Sequence, residues 1–269
     1  MINDFIFDGI ALSDFGYMAV FENSDDVIGV STMQFETIKA ALSDITHKVA
    51  HTYESNYTST FFIMKNTCGT DDEGYITNEE VAELTRWLVR KQYKWFRFIN
   101  EDDDDEVWYK VQNQISKEYA GEGIMGLVLT ITANAPYGFT REITKTLDTE
   151  EEENLDVVVH TDEEGYIYPT CVVTCTTAGT LTITNTTEGR TTEIKNCAEG
   201  EIIMLEGGDV QQITSTVNHD FTKDFNYVFP RLYTEYGNYR NIFECSIGGS
   251  ATPEITISYR GIRKVGFDA

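Results

Sequence analysis

Apolar positions recur at helical spacing in one stretch of this chain and at strand spacing almost everywhere else. Within Ile76–Ile99, Val81, Leu84, Trp87 and Leu88 fall at i, i+3, i+6 and i+7, on one face of a helix. Thr77 stands at the N-cap with Glu80 three residues on, which forms a capping box. Glu79, Glu80 and Glu83 precede Arg86, Arg90 and Lys91, the order that complements the helix dipole. The spacing predicts one helix over about residues 77–92, leading into an aromatic-rich strand, Tyr93–Ile99.

The opening residues alternate, with Phe5 and Phe7 on one face and Asp4 and Ile6 on the other, which predicts a strand. A turn at Ser13–Gly16 and a strand at Tyr17–Phe21 follow. Residues 22–60 are polar and less regular, with candidate strands at Met33–Ile38 and His51–Ser59. The continuous apolar run Thr60–Lys65 reads as a short buried strand. After the helix come strands at Tyr93–Ile99, Glu106–Ile115 and Gly126–Thr132, the first two joined by the acidic run Glu101–Glu106. Pro136 and Gly138 interrupt the ladder and close this half.

From Leu155 onward, short segments rich in Val, Ile, Thr and Tyr alternate with turn signals such as Glu164-Gly165, Glu188-Gly189 and Gly207-Gly208. The segments are Val157–Val159, Thr170–Thr176, Thr180–Thr184, Arg190–Ile194, Glu201–Leu205, Gln211–Thr214 and Ile255–Arg260. Their spacing predicts an antiparallel sandwich. The expected architecture is mainly β in two domains. Residues 1–142 form a β-sandwich-like domain with one packed helix. Residues 143–269 form a second sandwich, with an acidic linker at about 146–154.

Composition narrows the chemistry. The chain has 269 residues and a net charge of -25, with a pI near 4.3. Such a surface lacks the basic stripe that phosphate binding needs, so specific nucleic-acid binding is not expected. No run is apolar and long enough to cross a bilayer, and no membrane insertion is expected. The N-terminus carries Asp4 and Asp8 in place of a basic n-region, so it does not read as a signal peptide. Five scattered cysteines fit a reducing compartment, and Cys171 and Cys175 share a strand face as buried thiols.

Several patterns imitate sites. Gly69–Glu80 places Asp71, Glu73, Gly74 and Glu80 at positions 3, 5, 6 and 12 of a calcium loop, but Gly69 stands where position 1 needs a carboxylate. Glu80 is better explained as the capping partner. His47 and His51 lie four apart with Lys48 where a zinc-protease motif needs Glu, and His160 and His219 have no partner evident in the sequence. Tyr227, Phe229, Tyr233, Tyr236 and Tyr239 could build a sugar platform, though half-buried strand packing is the commoner reason for such residues. No catalytic, cofactor-binding or metal-ligating residue is assigned, no cofactor is expected, and the chain does not read as an enzyme.

Taken in order, these segments carry a resemblance. FIFDGIALSDFG (Phe5–Gly16), ELTRWL (Glu83–Leu88), YKWFRF with the following VWYKV (Tyr93–Val111) and GEGIMGLVLTITANAPYGF (Gly121–Phe139) resemble the distal tail proteins of long-tailed bacteriophages and prophages. YPTCVVTC, LTITNTTEG, GNYRNIF (Gly237–Phe243) and ITISYRGIRKVG (Ile255–Gly266) extend the resemblance over nearly the whole chain. It implies a ring-forming N-terminal domain and a C-terminal domain like a galectin or carbohydrate-binding module. It also implies a homohexameric hub at the virion's tail tip, assembled in the host cytoplasm. Its neighbours would be the tail tube protein, a tail-associated hub or fibre protein and the tape measure protein, around a channel for DNA. The alternative function is a carbohydrate-binding module for host attachment. The match is loose over residues 22–60.

Overall fold

A computed structural model describes residues 4–21, 33–39, 41, 44–53, 55–67, 74–99, 106–147, 154–208, 210–235 and 237–264. The chain divides into two compact units, Met1–Phe139 with the chain from Arg263 onward, and Thr140–Ile262.

The first unit contains β1 (Asp4–Phe7), β2 (Ile10–Ala11), β3 (Tyr17–Val20), β4 (Met33–Lys39), β5 (Thr46–Tyr53), β6 (Thr58–Lys65), α1 (Asn78–Leu88), β7 (Lys94–Ile99), β8 (Tyr109–Ala120), β9 (Gly123–Ala133) and β10 (Gly138–Phe139). Seven of these strands form an antiparallel sheet in the order β2-β1-β7-β8-β9-β6-β3. Its edge strands β2 and β3 are joined only by the 3-10 turn Leu12–Phe15 and by Gly16, whose φ of 79° is the left-handed conformation that favours glycine. A flat sheet of seven strands would hold its edges roughly 29 Å apart at about 4.8 Å per spacing. The chain from Ala11 to Tyr17 reaches at most roughly 22 Å fully extended, and less as a 3-10 turn. The sheet is therefore rolled, so a single sheet supplies the sandwich-like layering.

Alternation decides what the roll encloses. Phe5, Phe7, Phe61, Phe96 and Phe98 are fully buried on its inner face. Trp87 of α1 stacks on Phe5 at 5.9 Å and donates its indole N–H to the Phe7 carbonyl at 3.2 Å. Val81, Leu84 and Leu88 are buried with it, the face that the sequence spacing selects. The capping box is present: Glu80 accepts from Thr77 N–H at 2.7 Å, and Thr77 Oγ1 accepts from Glu80 N–H at 3.3 Å. The helix ends at Leu88, four residues before the expected limit. Val89 is extended at the C-cap, and Asn113 of β8 donates to the freed Leu88 carbonyl at 3.1 Å. β6 also differs from expectation: Ser59, Phe61 and Ile63 point inward while Thr58 and Thr60 are exposed, so it is a two-faced strand. The expected strand His51–Ser59 is split between β5 and β6, with residues 55–57 outside either.

The second unit contains β11 (Ile143–Thr146), β12 (Leu155–Thr161), β13 (Gly165–Ile167), β14 (Thr170–Thr174), β15 (Gly179–Asn185), β16 (Arg190–Cys197), β17 (Ile202–Glu206), β18 (Gln212–Ser215), the one-turn α2 (Phe221–Asp224), β19 (Leu232–Thr234), β20 (Gly237–Ile247) and β21 (Glu254–Tyr259). Two antiparallel sheets, β11-β21-β14-β17-β18 and β12-β20-β15-β16, bury Val157, Val173, Leu181, Ile203, Phe243 and Ile257 in one core. β13 and β19 form a separate pair. The expected linker begins inside this sandwich. Thr146 pairs with Thr256, and Leu147 is buried with its N–H on the Ile255 carbonyl at 3.0 Å. Residues 148–153 lie outside the described residues.

Candidate assembly surface

β4 and β5 pair with each other and, among the described residues, with no further strand. A two-stranded hairpin is marginal in water unless something covers it. This one leaves Phe35, Ile38, Ile45 and Val49 between 57% and 66% exposed. Four large apolar side chains this exposed on one small element mark a contact surface. Its base is anchored by an aromatic ladder in which Tyr53 packs edge-on to Tyr137, Tyr137 to Phe139, and Phe139 to Trp95. YKWFRF and PYGF meet there, and Trp108 exchanges both backbone hydrogen bonds with Phe139 at 2.7 Å.

Charge distinguishes the hairpin from the rest of the chain. Lys39 and Lys48 offset Glu36 and Asp44, so this segment is neutral within a chain of net charge -25. Lys48 lies over the Phe35 ring at 4.8 Å, a cation–π contact that fixes that aromatic. The pairing register slips at Val49, with Glu36 opposite Ala50 and Thr37 opposite Lys48. This bulge puts His47, opposite Ile38, and His51, opposite Phe35, on different faces. A shared metal between them is thereby removed, and no group of three metal-capable side chains occurs among the described residues.

The other patterns resolve similarly. Asp71 and Glu73 of the calcium-loop pattern lie outside the described residues. Its last position, Glu80, is already engaged by Thr77 and by Lys65 at 3.0 Å. Residues 101–105 of the acidic run are outside the description, and its last member, Glu106, is held by Arg97 at 2.8 Å and by Trp108 Nε1 at 3.2 Å. Cys171 and Cys175 are fully buried free thiols, as are Cys197 and Cys245 within 8% exposure.

In the second unit, Tyr166 and Tyr233 are cross-strand partners on β13 and β19, and Tyr239 packs edge-on to Tyr233 at 4.9 Å. Arg231 lies over Tyr166 at 3.5 Å, and Glu188 holds it through two contacts from Nε and one from the terminal nitrogen at 2.8 Å. Tyr166 and Tyr233 line a cleft of about 470 Å³ together with Glu164, Gly165, Thr234 and Glu235. Tyr227 stands apart, packed near Phe225, and Tyr236 lies outside the description. The sequence missed Tyr166 because a single exposed aromatic in a three-residue strand carries no periodicity. It also missed the partner of His219, the buried carboxylate Glu201 at 2.7 Å.

Comparison with known proteins then sets the family. Residues 1–135 match the family described as the phage tail protein N-terminal domain, and residues 137–259 match its phage tail C-terminal domain. The chain belongs to this family of phage tail proteins. Its fold is that of the SPP1 Dit (gp 19.1) protein, described as a paradigm of hub adsorption apparatus in Gram-positive infecting phages. The match has a TM-score of 0.60 at 11% identity and covers 97% of this chain and 99% of that one. A chain of the phage p2 baseplate in its activated conformation with Ca matches at TM-score 0.54 and 9% identity, covering 96% and 98%. The corresponding chain with Sr matches at 0.52. No curated protein matches the sequence.

Proposed function

We propose that this chain is a non-enzymatic structural component of the phage tail tip. It forms a homohexameric ring that joins the tail tube to baseplate or tail-fibre proteins and leaves a channel for DNA. The tape measure protein is a further neighbour, and the ring assembles in the host cytoplasm before it becomes part of the virion. The count of six and the neighbours rest on the family resemblance. The observation that carries the reading is the β4–β5 hairpin, an exposed, neutral, apolar element on an acidic chain. A second copy is the occupant that matches it, because a neutral apolar tongue approaches an acidic surface without the repulsion that two bare surfaces of this chain would meet. Light scattering on the purified chain tests this. The expected particle mass is six times that of the 30.5 kDa chain. Ile38→Asp with Val49→Asp should return it to monomer with an unchanged melt. A wild-type chain that stays monomeric at high concentration and with its tail-tube neighbour present would overturn the ring.

The tyrosine cleft favours a second reading, a saccharide site used at the host surface. Fixed aromatic faces beside acceptor carboxylates suit a neutral or amino sugar, and the net charge disfavours an anionic one. Binding on a glycan array that is lost in Tyr166→Ala would support it. A blank array would leave the structural role alone.

A further inference from the structure

The tyrosine cleft of the second unit is more firmly built than its own ladder would make it. β13 and β19 share only the pairs Gly165–Thr234, Tyr166–Tyr233 and Ile167–Leu232, too short a ladder to hold itself in water. Two buried amides hold it instead. Asn241, 0% exposed on β20, accepts from the Tyr233 N–H at 2.8 Å and donates to the Tyr233 carbonyl at 2.9 Å. Asn185, 1% exposed on β15, donates to Asn241 at 2.9 Å and to the Arg231 carbonyl at 3.0 Å. The Thr234 hydroxyl ties the same strand to the Glu163 carbonyl at 3.0 Å. A buried polar network costs desolvation and in return fixes positions. Here it fixes the backbone of the residues that carry the cleft's rings and guanidinium, so the cleft is shaped before a ligand arrives.

The charges around the rings do not cancel. Glu188 holds the Arg231 guanidinium over one face of Tyr166, and that pair is neutral. Glu164 and Glu235 stand immediately beyond Gly165 and Thr234, the last pair of the ladder, and both are exposed. Glu235 accepts the Tyr233 hydroxyl at 3.1 Å, and among the described residues neither carboxylate is in an ion pair. Like charges side by side at a ladder end repel. A ligand that brings positive charge relieves that repulsion, and a neutral one does not. The charge must sit on an organic group. Two carboxylates fall short of the roughly six to eight oxygens that calcium collects, and no group of three metal-capable side chains occurs among the described residues. A primary ammonium has three N–H donors, enough to bridge both carboxylates. Tyr166 is 48% exposed with Arg231 in place, so it keeps open ring surface beside them.

Building on the reading of the cleft as a saccharide site, we propose that the saccharide it takes is an amino sugar with a free amine. The ammonium is held by Glu164 and Glu235, and the apolar face of the sugar ring packs on Tyr166. Asn185 and Asn241 are positioning residues. N-acetylation removes the charge, so an N-acetylated sugar is disfavoured as a neutral one is.

The test is ligand-observed saturation-transfer NMR on the full chain at about pH 6, where the amine and both carboxylates are ionised. Glucosamine, glucose and N-acetylglucosamine are titrated separately. Glucosamine is expected to bind roughly tenfold tighter than either of the others, as two exposed ion pairs would give, and to lose that margin in about 0.5 M salt. With Glu164→Gln and Glu235→Gln together, the three sugars should bind alike, and in Tyr166→Ala none should bind. Equal binding of the three sugars by the wild type would overturn the free-amine assignment and leave the saccharide reading standing. Binding of none would overturn both. A glucosamine preference that survives the double substitution would place the amine elsewhere on the acidic surface and overturn the assignment as well. The wild-type comparison stands independently of whether any variant folds.

Discussion

Glu201→Gln probes a buried charged arrangement in the second unit. Glu201 is 1% exposed and accepts Ala198 N–H at 2.8 Å, the Ser215 hydroxyl at 2.6 Å and His219 Nδ1 at 2.7 Å. On the far side of the ring, His219 Nε2 faces the Lys195 carbonyl at 2.9 Å, which can only accept, with the Asp224 carboxylate 3.5 Å away. Both ring nitrogens therefore donate, and the imidazole is charged. Burial alone would raise the Glu201 carboxyl and lower the His219 imidazole. The hydrogen bonds outweigh it, so Glu201 lies below its ordinary 4.5 and His219 above its ordinary 6.5. The lowered carboxyl contributes stability fully above about 4.5 and loses it as pH falls through its folded value. The raised imidazole contributes fully below about 6.5 and loses it as pH rises through its folded value. The pair is thus at full strength between those two values. Removing one member of a buried pair costs about 3 kcal/mol, which for a unit of this size is a fall of roughly 10 °C in melting temperature. Once pH has risen above the folded value of His219, the neutral ring can accept from the glutamine amide, and the loss shrinks to about 1 kcal/mol, a single neutral hydrogen bond. Calorimetry of wild type and variant at pH 5.5 and pH 9 measures both numbers. Equal losses at the two pH values, or a loss under about 1 kcal/mol at pH 5.5, would refute the ionic reading.

The first unit makes two further predictions, read by fluorescence because all three tryptophans, Trp87, Trp95 and Trp108, belong to it. Leu84→Asp buries a charge at a position 1% exposed, and should cost on the order of 4 kcal/mol and abolish the fluorescence transition. A calorimetric transition from the second unit should survive, and simultaneous loss of both would show that the units do not fold separately. Thr77→Ala removes one half of the capping box and should lower stability by about 1 kcal/mol in denaturant titration; no change would mean that Glu80 alone starts the helix.

What the sequence disclosed follows from where side chains obey a period. The helix face and its N-cap were legible because Val81, Leu84, Trp87 and Leu88 repeat at 3.6 and Thr77 and Glu80 stand three apart. Its C-terminus was not, because it is decided by Asn113, which is remote in sequence. β20, the longest strand of the second unit, escaped the sequence reading for an equally physical reason. Its inward position Asn241 is polar and 0% exposed, bonded to Asn185 at 2.9 Å and to the Tyr233 backbone at 2.8 and 2.9 Å. A satisfied buried amide breaks the hydrophobic alternation without breaking the strand. The hairpin was half legible: Met33–Ile38 showed its strand pattern, but the bulge at Val49 concealed the register of its partner. A pattern with period 2 cannot show where one residue has been inserted.

That bulge bears on how copies would join. If two hairpins paired with each other, the contact would be self-complementary and would stop at a dimer. Ring closure requires a head-to-tail contact, in which the hairpin seats on a different surface of its neighbour. The hairpin is suited to the second arrangement. The slip at Val49 twists it and disturbs the regular ladder that edge-to-edge pairing needs, and its apolar residues Phe35 and Ile38 face opposite sides. A two-sided tongue is buried by insertion into a neighbour, not by lying flat against its own copy. The two arrangements give different results when wild type is mixed with the Ile38→Asp, Val49→Asp variant. A head-to-tail chain lets the variant accept a neighbour's hairpin without offering its own, so it terminates growth and yields incomplete assemblies by light scattering. In a self-complementary contact the variant is inert, and the wild-type particles keep their size. Incomplete assemblies are expected, and unaltered particles in the mixture would refute the head-to-tail contact.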